Sequence, residues 1–173
     1  VSGAEAALRL LFTRHHAPVF RFLTRRVYSD AVAEELTNQV FLEVWRNART
    51  FEARASVSTW MLTIARNLAA SHMRKRREGA LEEGVAEAVA DDGDDPEVTT
   101  QKADKAAAIR RCMERLSSEH REIIDLVYYH ELSVSEVSAV VGIPEATVKT
   151  RMFYARKKLS ELLVEAGIDR GWP

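Results

Sequence analysis

The sequence carries a single cysteine, Cys112, among its 173 residues. One thiol excludes an internal disulfide and suits a reducing compartment. Its place in the apolar spacing of Ile109, Met113 and Leu116 makes it a core residue. Zinc chemistry finds no support, because His15, His16, His72, His120 and His130 share no ligand spacing with Cys112. Glycine and proline are sparse, at seven and four, and no glycine run forms a loop that cradles phosphate. No apolar run approaches the roughly 20 residues of a membrane span, and the amino-terminal stretch has no signal-peptide core. Net charge is nearly absent too, at -1 near neutral pH. Glu122 and Asp125 are expected on a helix surface rather than as an acid–base pair. These absences lead to a cytoplasmic chain with no cofactor, no metal, no catalytic group and no membrane insertion.

Helical spacing fills the space they leave. Leu8, Leu11, Phe12, His15, Val19, Phe22 and Leu23 recur at three and four, with Pro18 as an expected kink or break. Ser29 and Asp30 offer an N-cap, followed by Glu34 and Glu35 where a helix dipole favours acids. Leu36, Val40, Phe41, Val44 and Trp45 then mark a second buried face. Trp60, Ile64, Leu68 and Met73 mark a third, which ends in a basic run. From Arg66 to Arg77 there are five Lys/Arg and no acid; from Gly79 to Val98 there are eight acids and no base. Such asymmetry under a balanced total points to nucleic-acid contact. The acidic stretch cannot bury enough apolar surface to fold alone. The expectation is an all-α chain of two small domains, residues 1–77 and 101–173, joined by a flexible acidic linker, 78–100.

The second block contains a hairpin with explicit punctuation. Ser133-Val-Ser-Glu136 is a capping box, in which the serine oxygen accepts a first-turn amide while the glutamate reaches back. Gly142 can take the left-handed conformation that ends a helix, and Pro144 is tolerated in the first turn of the next. Two short helices joined this tightly read as a helix-turn-helix. Val148, Met152, Ala155, Leu159 and Leu162 form the buried stripe of the second helix. Lys149, Thr150, Phe153, Arg156 and Lys157 fall off that stripe. Basic ends reach phosphates, while Thr and Phe can touch a thymine methyl, so this helix is equipped for a major groove.

Two stretches together carry a family resemblance. Ala33 to Arg46, "AEELTNQVFLEVWR", followed by Phe51 to Arg77, resembles domain two of the extracytoplasmic-function (group IV) RNA polymerase sigma factors. Leu116 to Leu163 resembles their domain four. The resemblance implies that core RNA polymerase is gripped through Glu35, Asn38, Gln39 and Leu42. It implies a pocket for a flipped non-template base in the loop Phe51 to Thr59, with Ser56 and Ser58 among its contacts. Asn67 matches the position that reads the adjacent base of the melted minus-ten element, beside Ser71. Arg66, Arg74, Arg76 and Arg77 would follow the backbone. Thr147, Lys149, Thr150, Arg151, Phe153, Tyr154, Arg156 and Lys157 would meet the minus-thirty-five duplex. An anti-sigma factor is a further implied partner. Ser71, the Asn38-Gln39 pair, Ala146 and Tyr154 depart from the family's frequent residues, so a promoter sequence does not carry over. The alternative reading is an ordinary helix-turn-helix regulator that acts on duplex DNA without being a polymerase subunit.

Overall fold

The computed structural model describes residues 3–83 and 102–168. Most of the acidic linker and the tail with Trp172 lie outside those residues. Among the described residues every regular element is helical, and the chain divides into two compact units.

The first unit is built on α1 (Gly3–Val27), α2 (Asp30–Asn47) and α3 (Val57–Glu83), which pack against one another. Helix α1 continues past Pro18 without a break, as one element, although a proline removes one backbone donor. The expected stripe on α1 is only half used: Val19, Phe22, Leu23 and Val27 are buried, whereas Phe12 is exposed. Only Tyr28 and Ser29 separate α1 from α2. Tyr28 takes a left-handed φ of 53°, and the Ser29 hydroxyl accepts from the Val32 amide at 3.4 Å. This cap starts α2 one residue after the reversal. Ala33, Leu36, Val40, Phe41 and Val44 of α2 and Met61, Leu62, Ala65 and Ala69 of α3 are buried, and the two helices pack together. Each large side chain removed from water contributes about 1.5–3 kcal/mol before entropy is counted. A short 3-10 turn, Ala48–Thr50, follows α2. Helix α3 continues through its basic segment as far as Glu83, the last described residue before the linker.

The second unit contains α4 (Lys102–Glu114), α5 (Ser118–Ile124), the first part of α6 (Val134–Val141) and α7 (Glu145–Glu165). Cys112, Met113, Leu116, Ile124, Ala155, Leu159, Leu162 and Leu163 form its buried cluster. The cysteine is a core residue, as its spacing implied. Helix α5 passes into a π-type turn, Asp125–Tyr129, which accommodates one extra residue. Contrary to the surface placement expected, Glu122 and Asp125 are 6% and 4% exposed. Asp125 Oδ2 lies 3.7 Å from Nε2 of the equally buried His130.

Arg121 joins α4 to α5. Its guanidinium donates to the Met113, Glu114 and Leu116 carbonyls at 3.0, 2.8 and 3.1 Å. The last carbonyls of a helix have no intrahelical partner, and here one planar cation satisfies three carbonyls at the α4 end. Arg121→Met keeps the aliphatic stem and removes the donors. It is expected to destabilise the second unit by about 2–3 kcal/mol, read as a lower urea midpoint with an unchanged slope.

Candidate nucleic-acid interface

The helix-turn-helix is assembled by local chemistry. Ser133 and Glu136 exchange both bonds of the capping box, at 3.2 and 2.8 Å. Gly142 ends α6 with φ of 76°, a conformation that costs other residues energy. Pro144 sits at the N-cap of α7 rather than inside its first turn, and its carbonyl accepts from Thr147 and Val148. Val148, Ala155, Leu159 and Leu162 point to the core, with Met152 partly covered. Thr150, Phe153, Tyr154 and Lys157 therefore project to the opposite side. Phe153 is 64% exposed and meets Tyr154 edge to face at 5.3 Å. Lys149 and Arg156 are exposed on the flank of that face, and Thr147 is partly covered. Arg151 differs from its neighbours. Its side chain is 27% exposed and its Nη2 lies 3.4 Å from Glu119 of α5. That ion pair fixes Arg151 between helices, where it supports the face more than it extends it.

On α3 the buried residues leave one side open. Asn67, Ser71 and Arg74 follow at four and three, so they share a face, on which Asn67 and Arg74 are exposed. Arg76 and Arg77 continue the positive charge toward the exposed end, and Arg66 lies partly covered on another flank. Asn67 opens onto a cleft of about 430 Å³ with Trp60, Ile64 and Leu68 on one side and Glu43, Asn47 and Thr50 on the other. Trp60 stacks on Phe51 at 4.7 Å, so it is neither fully buried nor free-standing. Ser56 is largely occupied within the chain. Its oxygen accepts from the Thr59 amide at 3.1 Å and its hydroxyl donates to Thr59 Oγ1 at 2.9 Å, which makes it the cap of α3. Ser58 is partly covered in the first turn.

The outer side of α2 forms a third surface. Glu35, Asn38, Gln39 and Leu42 lie opposite the buried stripe, with Gln39 donating to Glu35 at 3.2 Å. Trp45, expected in the core, joins them instead and is 48% exposed. The buried positions centre near Val40 and Val44, and the next residue is rotated roughly 100° away from that line. Packing against α1 and α3 covers Val44 but not its neighbour.

Comparison with known proteins bears on both units. Residues 11–78 match the family description Sigma-70 region 2, and residues 106–159 match Sigma-70, region 4. The RNA polymerase sigma factor CarQ of Myxococcus xanthus is 31% identical over 172 residues, 96% of this chain and 95% of that protein. The ECF RNA polymerase sigma factor SigL of Mycobacterium tuberculosis is 29% identical over 175 residues, 98% of each. The chain belongs to the ECF sigma factors. Its fold also resembles the sigma factor RpoE solved with the anti-sigma factor NepR from Bartonella quintana. That likeness has a TM-score of 0.74 at 27% identity, over 94% of this chain and 98% of the other.

Within this sigma factor the first match runs from α1 to α3, and the second from α4 through most of α7. A regulator acting on duplex DNA alone has no use for a region 2 match, so that alternative is set aside. Three features escaped the sequence reading. Trp45's exposure depends on how far the three-helix packing reaches, since Phe41, set roughly 100° round from Val40, is buried. The α2 side of the Asn67 cleft, and the Glu119 restraint on Arg151, needed the tertiary contacts. Among the described residues no group of three metal-ligating side chains comes together, and no helix is long and apolar enough to cross a membrane.

Proposed function

We propose that this sigma factor recruits core RNA polymerase through the outer face of α2 and holds the melted minus-ten strand along α3. Its helix α7 reads the minus-thirty-five duplex. Residues 1–77 and 101–173 act as the two promoter-binding domains, with 78–100 as the acidic tether between them. An anti-sigma factor covering the polymerase-binding face holds the protein inactive until it is needed. RpoE, solved in complex with NepR, supports that mode of control.

The observation that carries this reading is the exposed Asn67 on a face that continues through Ser71 and Arg74 toward Arg77. A carboxamide both donates and accepts, which suits the edge of an unstacked base. The arginines that follow suit the phosphates of the same strand. Opening a duplex costs unstacking energy, and contacts made only with the extruded bases offset part of it. The protein therefore promotes initiation by differential binding, and nucleotide joining stays with the polymerase. On α7, Lys149, Arg156 and Lys157 position the helix against phosphates, while Thr150 and Phe153 supply base-edge contacts.

Asn67→Ala tests the assignment. Holoenzyme assembled with this variant should bind a single-stranded minus-ten oligonucleotide about tenfold more weakly. Its affinity for an isolated minus-thirty-five duplex should stay unchanged. Equal loss on both DNAs, or no loss on the single strand, would return Asn67 to an ordinary surface role.

A further inference from the structure

Within the second unit, an open cleft of about 510 Å³ lies between α7 and the corner where α4 meets α5. Tyr154, Lys157 and Lys158 line it from α7, facing Arg115, Ser117 and His120 across the gap. Tyr154 and Lys157 are also among the residues expected at the promoter; Arg115, Ser117, His120 and Glu161 carry no such expectation. Three of the lining side chains are cations. Glu161 is the acidic residue among them, 3.6 Å from Lys158, and Arg115 meets Glu165 at 3.0 Å. Both pairs are about half exposed, so water and salt weaken them and a stronger anion can replace them. Lys157 has no carboxylate partner among the described residues. Ser117 accepts from the His120 amide at 3.2 Å, which leaves its hydroxyl hydrogen for an outside acceptor. The cleft therefore offers donors and positive charge to an anion of phosphate size, with Tyr154 as a partly apolar wall.

Position selects the source of that phosphate. Thr150, Phe153, Tyr154 and Lys157 succeed one another along the exposed side of α7, and the cleft begins at the last two. Lys157 stands roughly 10 Å along the helix from Thr150. A duplex seated on the amino-terminal half of that side would bring its charged backbone toward the cleft. We infer that this cleft clamps a backbone phosphate of promoter DNA beyond the base pairs read by α7, with Arg115, Lys158 and His120 as contacts additional to the recognition helix. The inference rests on the reading of α7 as the minus-thirty-five helix. It adds affinity and salt dependence without adding sequence preference.

Arg115→Gln and Lys158→Gln test it in holoenzyme made from the full chain and core polymerase. Once a promoter has been found by transcription, binding to its duplex is followed by anisotropy across a salt series. Each variant should reduce the steepness of log K against log salt by about 1. Glu161→Gln should tighten binding about threefold by releasing Lys158. Replacing single phosphates by neutral methylphosphonates should weaken wild type at one or two backbone positions beyond the contacted bases. Lys158→Gln should be indifferent at those same positions. Added inorganic phosphate at constant ionic strength should compete little, because an isolated ion lacks the rest of the duplex; strong competition would identify a free-phosphate site and overturn the DNA assignment. Unchanged salt slopes with uniform methylphosphonate effects would also overturn it. A loss traced to weaker core-polymerase binding would assign the cleft to an acidic protein surface and overturn it too. Protein-dependent transcription retained in any of these cases would leave the sigma-factor reading intact.

Discussion

Leu42→Asp should weaken binding to core RNA polymerase by about 30-fold or more, the loss expected when a buried interface anchor is removed. The side chain is exposed in the free chain, at the centre of the α2 face formed by Glu35, Asn38, Gln39 and Trp45. An apolar residue at the middle of a polar face contributes little to the fold and much to an interface that excludes water. The substitution adds a charge that the bound state must desolvate, so the effect exceeds that of truncation to alanine. Thermal unfolding should be nearly unchanged, while pull-down of core polymerase and protein-dependent transcription fall together. Trp45→Ala is expected to act in the same direction. A fall in stability without a fall in polymerase affinity would place Leu42 and Trp45 in the architecture rather than the interface.

Leu159→Ala acts through the opposite mechanism. Leu159 is 1% exposed in the cluster that joins α4, α5 and α7. Removing its branched end should cost about 2–5 kcal/mol, the transfer term plus the cavity left behind. A unit of this size has only a few kcal/mol of stability to lose. The second unit should therefore be largely unfolded or close to it at 37 °C, with backbone amides of α7 exchanging rapidly while those of α3 stay protected. Duplex binding should disappear, and binding to core polymerase through α2 should survive. Retained protection in α7 would mean that the cluster tolerates the cavity or collapses around it.

Both predictions depend on features that differ in how openly the sequence displays them. Ser133, Glu136 and Gly142 act through backbone rules that involve only a few neighbouring residues, so the hairpin was readable before any tertiary contact was known. The same holds for the Val148–Leu162 stripe, whose period alone assigns an inside and an outside. The limits of each buried face were less accessible. Trp45 is apolar and adjoins a core position, yet the packing of three helices covers Val44 and stops. Phe12 lies on the spacing of α1 and packs its ring on Phe41 at 4.8 Å, yet at the edge of the core, where much of it stays exposed. Asp125 failed for another reason. Glu122 to Leu126 are five consecutive buried residues, so packing covers this stretch on every side and a helical wheel finds no outward face there. Nothing in the local spacing of Arg121 reveals that it faces the last carbonyls of α4. For the interface, residue type and spacing pointed to the α7 face and the basic end of α3, while the α2 surface and Asn67 followed from the family resemblance. The cleft beside Asn67, the restraint on Arg151 and the cation cluster at the α4–α5 corner depend on residues distant in sequence. No local pattern announces those.

The central claim is that this chain confers promoter recognition on core RNA polymerase. Its most direct test is run-off transcription from a promoter library, with core polymerase alone and with the protein added. The account predicts transcripts that appear only with the protein and share two upstream elements. It also predicts that Lys149→Ala with Thr150→Ala abolishes dependence on the upstream element, and that Asn67→Ala alters dependence on the downstream one. Duplex DNA binding by a well-folded, anti-sigma-free protein that never directs polymerase to a start site would contradict the account.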